Sequence, residues 1–83
     1  YGKGIGTFAV QEMIRHAFLN LNLNRVELYV LTDNERAIHL YEKCGFVREG
    51  VKRSCTYKNG KFKDMFIYSI LKNDYLEKNV QGN

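Results

Sequence analysis

Apolar side chains fall at Val10, Met13, Ile14, Ala17, Phe18 and Leu21, a three-and-four spacing that lines them along one face of a helix over residues 7–21. Thr7 stands where a cap belongs. The alternating Asn20-Leu21-Asn22-Leu23-Asn24 breaks the helical period, and Arg25–Leu31 then supplies a β-rich run apolar enough for a central strand. A second helix follows, with Asp33 or Asn34 as its cap, Ala37, Ile38, Tyr41 and Cys44 as its inward positions, and Gly45 where a left-handed terminal residue is wanted.

The last third changes period. Asn59-Gly60 between residues 51–58 and 61–71 is the strongest short hairpin signal, since both residues tolerate positive φ. Phe62, Phe66, Tyr68 and Ile70 share one alternating face, with Met65, Ile67 and Leu71 on the other, so this strand is expected to be covered on both sides. Residues 73–83 are polar and are expected to fray. The order is loop, helix, strand, helix, hairpin. A helix that begins a crossover needs a strand before it, so the chain is expected to be a fragment of a longer fold.

Eighty-three residues bound this to one small domain with a modest core. The formal charge of +4 suits an anionic ligand but is mild. Lys52, Arg53, Lys58, Lys61 and Lys63 lie around the hairpin, where a solvated strand face accounts for them, and nucleic acid is not an expected partner. Cys44 and Cys55 lack metal-ligand spacing and read as reduced thiols, no metal is expected, and no apolar run has transmembrane length. These absences point to a cytoplasmic protein that does not engage membranes.

The first helix is preceded by Tyr1-Gly2-Lys3-Gly4-Ile5-Gly6-Thr7. Closely spaced glycines let backbone N–H groups approach an anion without a Cβ in the way, and the helix adds unpaired donors and the positive end of its dipole. A pyrophosphate suits such a loop. The dinucleotide fingerprint and the ATP-binding P-loop both require other spacings, and spacing alone equally allows a turn that merely caps a helix.

With that loop, the run Asn34-Glu35-Arg36-Ala37-Ile38-His39-Leu40-Tyr41-Glu42-Lys43-Cys44-Gly45-Phe46, followed by Glu49-Gly50 and Asn59-Gly60-Lys61-Phe62-Lys63-Asp64, resembles the GNAT superfamily of acyl-CoA N-acyltransferases, particularly its spermidine and ribosomal-protein branches. The resemblance spans residues 1 to about 72, the C-terminal half of the family's domain, and leaves 73–83 as a tail. Tyr1 departs from the family's Gln or Arg at that position.

The resemblance implies an α/β fold with a mixed sheet, acetyl-CoA as cosubstrate, and a small-molecule or peptide amine as acceptor, either a polyamine or a protein N-terminus. It implies that the backbone of Gly2, Lys3, Gly4, Ile5, Gly6 and Thr7 cradles the pyrophosphate. Asn34 then bonds the pantetheine arm, and Arg36 or Lys43 reaches the adenosine phosphate. Tyr41 becomes the general acid, because a departing thiolate needs a proton and a phenol with a pKa near ~10 carries one at neutral pH. Without the resemblance, Tyr41 reads as a core residue of the second helix. His16 and His39 read as packed or surface imidazoles, and Cys44 lacks an activating neighbour. Glu42 and Glu49 suit either a cationic substrate or plain solvation. The alternative is a non-catalytic CoA-binding or subunit-association fragment, with an open sheet edge inviting a second copy.

Overall fold

The computed structural model describes residues 6–81, with side chains to residue 77. Residues 1–5, and with them the expected loop positions Gly2, Lys3, Gly4 and Ile5, lie outside the described residues. The elements are α1 (Thr7–Arg15), continued by a π turn over His16–Asn20, then β1 (Arg25–Leu31), α2 (Glu35–Lys43), β2 (Val47–Lys58), β3 (Lys61–Leu71) and α3 (Lys72–Gln81).

Helix α1 starts one residue earlier than the capping signal suggested. Gly6 is the N-cap and Thr7 the first helical residue, with no side-chain cap. Val10, Ile14, Ala17 and Phe18 are buried as the period predicts, whereas Met13, at the margin of the stripe, and Leu21, past the helix end, are exposed. The asparagine-rich turn behaves as its chemistry requires. Asn22 takes φ 55°, and Asn20 Nδ2 lies 2.8 Å from His16 Nδ1.

The sheet order is β1-β3-β2, and both pairings are antiparallel. The α/β expectation therefore holds. The parallel pairing that would make the sheet mixed is not among the described strands. Among the described strands, β1 lies to one side of β3, the middle strand. Its stronger claim is visible in its run from Phe66 to Ile70, which a two-sided ladder buries more fully than the alternating β1. The Asn59-Gly60 hairpin forms as expected, at φ 53° and 80°.

All three helices bear on the sheet face that carries Val26, Leu28, Val30, Phe66, Tyr68 and Ile70. Val10, Ile14, Phe18, Cys44 and Phe46 close the core against that face. The other face is not covered as the apolar pattern suggested: Tyr29 and Leu71 are exposed and Ile67 is half-buried. An ion cluster lies there instead, with Arg25 bridging Glu27 and Glu49. The polar tail also departs from expectation. Residues 72–81 form α3, whose Tyr75 ring meets Phe18 at 5.5 Å. Asp74 accepts from the Leu71 N–H at 3.2 Å, and the Lys72 N–H bonds Asn24 O at 2.9 Å, so the helix is tied to the ends of β1 and β3 rather than fraying.

Phe18, 1% exposed, joins α1, the sheet and α3. Phe18→Ala should cost about 3–5 kcal/mol, most of what a domain of this size has in reserve. Thermal melts by circular dichroism should show loss of the cooperative transition; a shift of only a few degrees would mean that the core closes without this ring.

Candidate functional site

Helix α2 carries the candidate residues, and both of its ends are set by local chemistry. At the start, Asn34 Oδ1 accepts from the Ala37 N–H at 3.2 Å, which selects Asn34 over Asp33 as the cap. Asp33 instead holds Lys63 Nζ at 2.8 Å, and this ammonium keeps its carboxyl below the usual range.

At the far end, Gly45 adopts φ 103°. Its N–H bonds Glu42 O at 3.1 Å while the Phe46 N–H reaches back to Tyr41 O at 3.0 Å, the paired bonds of a Schellman ending. Such an ending brings together the side chains of the residues that its longer bond joins. Here they are Tyr41 and Phe46, with ring centroids 5.6 Å apart in an edge-to-face arrangement. Tyr41 is half-buried beside the core, so the structure gives it a packing role independent of any chemistry.

Asn34 and Tyr41 are seven residues apart, two turns along one face and roughly 10 Å in rise. Arg36 lies exposed in the first turn and Lys43 exposed in the last, about 10 Å of rise apart. Lys43 has a structural reason for its place, as a cation at the negative end of the helix dipole. Arg36 sits against that dipole, which an anion nearby would relieve.

At α1, Gly6 has φ −117°, open to any residue, and a Cβ built on it would meet nothing within 4 Å. Among the described residues, therefore, nothing requires glycine there. The opening turn of α1 contains no acidic residue, and helix geometry leaves its N–H groups without intrahelical acceptors. Backbone donors facing open space suit the oxygens of a phosphate. Of the expected cradle, Gly6 and Thr7 are described. The strand expected before α1 is not, so one wall of the anticipated crevice is on view: the end of β1 and the start of α2. Among the described residues, no group of three or more His, Cys, Asp or Glu is placed to hold a metal.

Sequence reasoning missed the network behind α2. Tyr68, with no exposed surface, donates its hydroxyl to Glu42 Oε2 at 2.6 Å and accepts from Arg48 Nε at 3.1 Å. Burial, and then the Glu42 carboxylate, push its phenol above the ordinary value. Arg48 also lies over the Phe66 ring, 3.8 Å from its centroid. The one available signal was that an inward tyrosine needs a hydroxyl partner; which partner it takes is a matter of topology.

Glu42 and Glu49, read as open to a cationic substrate, are both engaged. Glu49 receives Arg25 through both of its oxygens, at 2.6 and 3.2 Å, and Ser69 Oγ at 2.5 Å. The Arg25 and Ser69 bonds hold the Glu49 carboxyl down at about 2. His39 is exposed, and Cys44 and Cys55 are free thiols, the first buried and the second exposed.

Residues 1–46 match the model of the acetyltransferase (GNAT) family. The spermidine N(1)-acetyltransferase of Vibrio cholerae serotype O1 is 36% identical over 77 residues, covering 93% of this chain and 44% of that protein. The putative ribosomal N-acetyltransferase YdaF of Bacillus subtilis is 40% identical over 74 residues, 89% of this chain and 40% of that protein. Among solved structures, the spermidine/spermine N-acetyltransferase SpeG from Vibrio cholerae in complex with manganese ions superposes with a TM-score of 0.83 at 35% identity, over 86% of this chain and 42% of that one. The chain thus spans less than half the length of the relatives it matches.

The Glu49 carboxyl sets an acid limit on stability. Its folded value of about 2 lies below the ~4.3 of an unfolded glutamate, so its contribution is complete above the unfolded value and is lost as pH falls toward 2. Glu49→Gln should flatten the decline in melting temperature between about pH 4.5 and 2. An unchanged acid limb would show that the Arg25 bridge does not hold in solution.

Proposed function

The chain belongs to the acetyltransferase (GNAT) family, and from that premise we propose that the protein transfers an acetyl group from acetyl-CoA to a primary amine by direct attack. The observation that carries this reading is α2 itself. It presents Asn34 and Tyr41 on one face, with the Tyr41 backbone and ring both fixed by the Gly45-Phe46 ending.

In the reaction the amine nitrogen bonds the thioester carbonyl carbon, the carbon–sulfur bond breaks, and the leaving thiolate takes up a proton while the new amide loses one. Tyr41 is the proposed proton donor to that sulfur. The N–H groups at the start of α1 are the proposed hold on the pyrophosphate, and the open space above Gly6 fits that role. Asn34 already spends its side-chain oxygen on the helix cap, so its amide N–H₂ is the part we assign to the pantetheine arm. Of the two candidate cations for the adenosine phosphate, Arg36 fits better. It lies in the turn that Asn34 caps, against the dipole, whereas Lys43 lies in the last turn and suits the dipole.

The relatives' names include spermidine and ribosomal acceptors, and we keep a polyamine and a protein N-terminus as the two acceptor classes. No helix among the described residues is long and apolar enough to cross a membrane, and the cytoplasm is the setting we infer. The second reading, a CoA-binding fragment without turnover, draws support from the packing role of Tyr41, which would keep that ring in place without catalysis.

Tyr41→Phe separates the two, because it retains the ring contact with Phe46 and removes only the hydroxyl. With acetyl-CoA and an amine panel, release of free thiol should fall roughly 10²- to 10⁴-fold. Acetyl-CoA affinity and melting temperature should hardly change. Equal thiol release by the variant and the parent protein would remove Tyr41 as the acid.

A further inference from the structure

Helix α2 lies on the sheet without placing any of its own side chains fully in the core. Ala37, Ile38, Leu40 and Tyr41 are half-buried against that core. Apolar contact of this kind is non-directional, so it holds the helix to the sheet while fixing its rotation about its own axis only weakly. The direction in which Tyr41 faces depends on that rotation.

Two directional contacts act on the last turn. Tyr41 meets the Phe46 ring edge to face at 5.6 Å. Glu42, the next residue and about 100° further round the helix, accepts the Tyr68 hydroxyl at 2.6 Å. Arg48, the register partner of Tyr68, braces this bond from the neighbouring strand. Its Nε donates to the same oxygen at 3.1 Å, and its guanidinium lies 3.7 Å from Glu42 Oε2 and 3.8 Å from the Phe66 centroid. Glu42, Arg48 and Tyr68 thus close a triangle between α2 and two strands.

Packing does not call for that hydroxyl. A phenylalanine in place of Tyr68 would fill the same space and bring no buried polar oxygen. The Glu42 and Arg48 side chains are 48% and 46% exposed, so water would satisfy both without it. What the hydroxyl adds is direction: a charge-assisted bond drawn from a strand position with no exposed surface to the last turn of α2.

We infer that the Tyr68 hydroxyl is a positioning group for Tyr41, acting through Glu42 and braced by Arg48; the inference rests on the reading of Tyr41 as the proton donor. Tyr68 touches neither the thioester nor the amine in this scheme. It sets the roll of α2, and with it the line along which the Tyr41 proton reaches sulfur.

A double-mutant cycle on thiol release tests it. Tyr68→Phe should lower kcat roughly tenfold, with KM for acetyl-CoA changed by less than about twofold and the melting temperature nearly that of the parent protein. In a Tyr41→Phe background the same substitution should lower the rate no further, because the hydroxyl it positions is gone; loss of folded protein would lower both backgrounds equally. Glu42→Ala, at the wet end of the bond, should reproduce the loss, and Glu42→Gln, which keeps an acceptor oxygen, should recover most of it. The ring resonances of Tyr41, identified by their absence from the Tyr41→Phe spectrum, should shift in Tyr68→Phe as the ring turns relative to Phe46. Unchanged ring resonances, an unchanged kcat in Tyr68→Phe, or equal losses in the two backgrounds would overturn the positioning role and leave Tyr41 as the donor. Thiol release that does not respond to Tyr41→Phe would remove the donor itself, and this role with it.

Discussion

The arrangement depends on the hydroxyl of Tyr68. A phenol with no exposed surface on the middle strand must have its oxygen satisfied, because an unmade bond there costs about 1–3 kcal/mol, a large share of what a small domain can spare. Glu42 from α2 and Arg48 from β2 meet at that one oxygen. Three consecutive elements are thereby held in one relation. The residue next to Glu42 is Tyr41, so the bond that secures the helix to the sheet also sets which way the candidate proton donor faces.

The end of α2 strengthens the same constraint. Gly45 in the left-handed region reverses the chain so that Phe46 both enters the core and meets Tyr41. Helix end, ring contact and strand entry are one local device. This is why Tyr41 reads as a packing residue and as a catalytic candidate at once: the geometry that would prepare it for chemistry is also what a structural tyrosine would have.

The two faces of the sheet are treated differently. The helical face is closed by apolar packing, whereas the other face has Arg25, Glu27, Glu49 and Ser69 bound to one another around a patch of half-buried apolar residues. Glu49 is thereby engaged by partners within the chain. Exposed pairs of this kind contribute little each, but the bidentate grip of Arg25 fixes the position of the bulge at Glu49 in β2.

Features that depend on neighbours in sequence were legible without a structure. A cap at Asp33 or Asn34, the Gly45 reversal, the Asn59-Gly60 turn and most buried positions of the first helix follow from a few consecutive residues, since caps, turns and helical faces are local physics. The family resemblance rested on those same residues and held. What misled was whatever required knowing the neighbours in space. The run over Arg25–Leu31 pairs with β3 rather than with its nearer neighbour in sequence, β2, because pairing order is decided by which strands meet. Residues 73–83 read as a polar tail expected to fray, yet Lys72–Gln81 is helical, with Tyr75 against Phe18 and bonds at Leu71 and Lys72. The hydrogen-bond partners of Tyr68 and Glu49 lie 20 to 26 residues away in the chain. No periodicity records such distances, and only the folded chain brings the partners within a hydrogen bond.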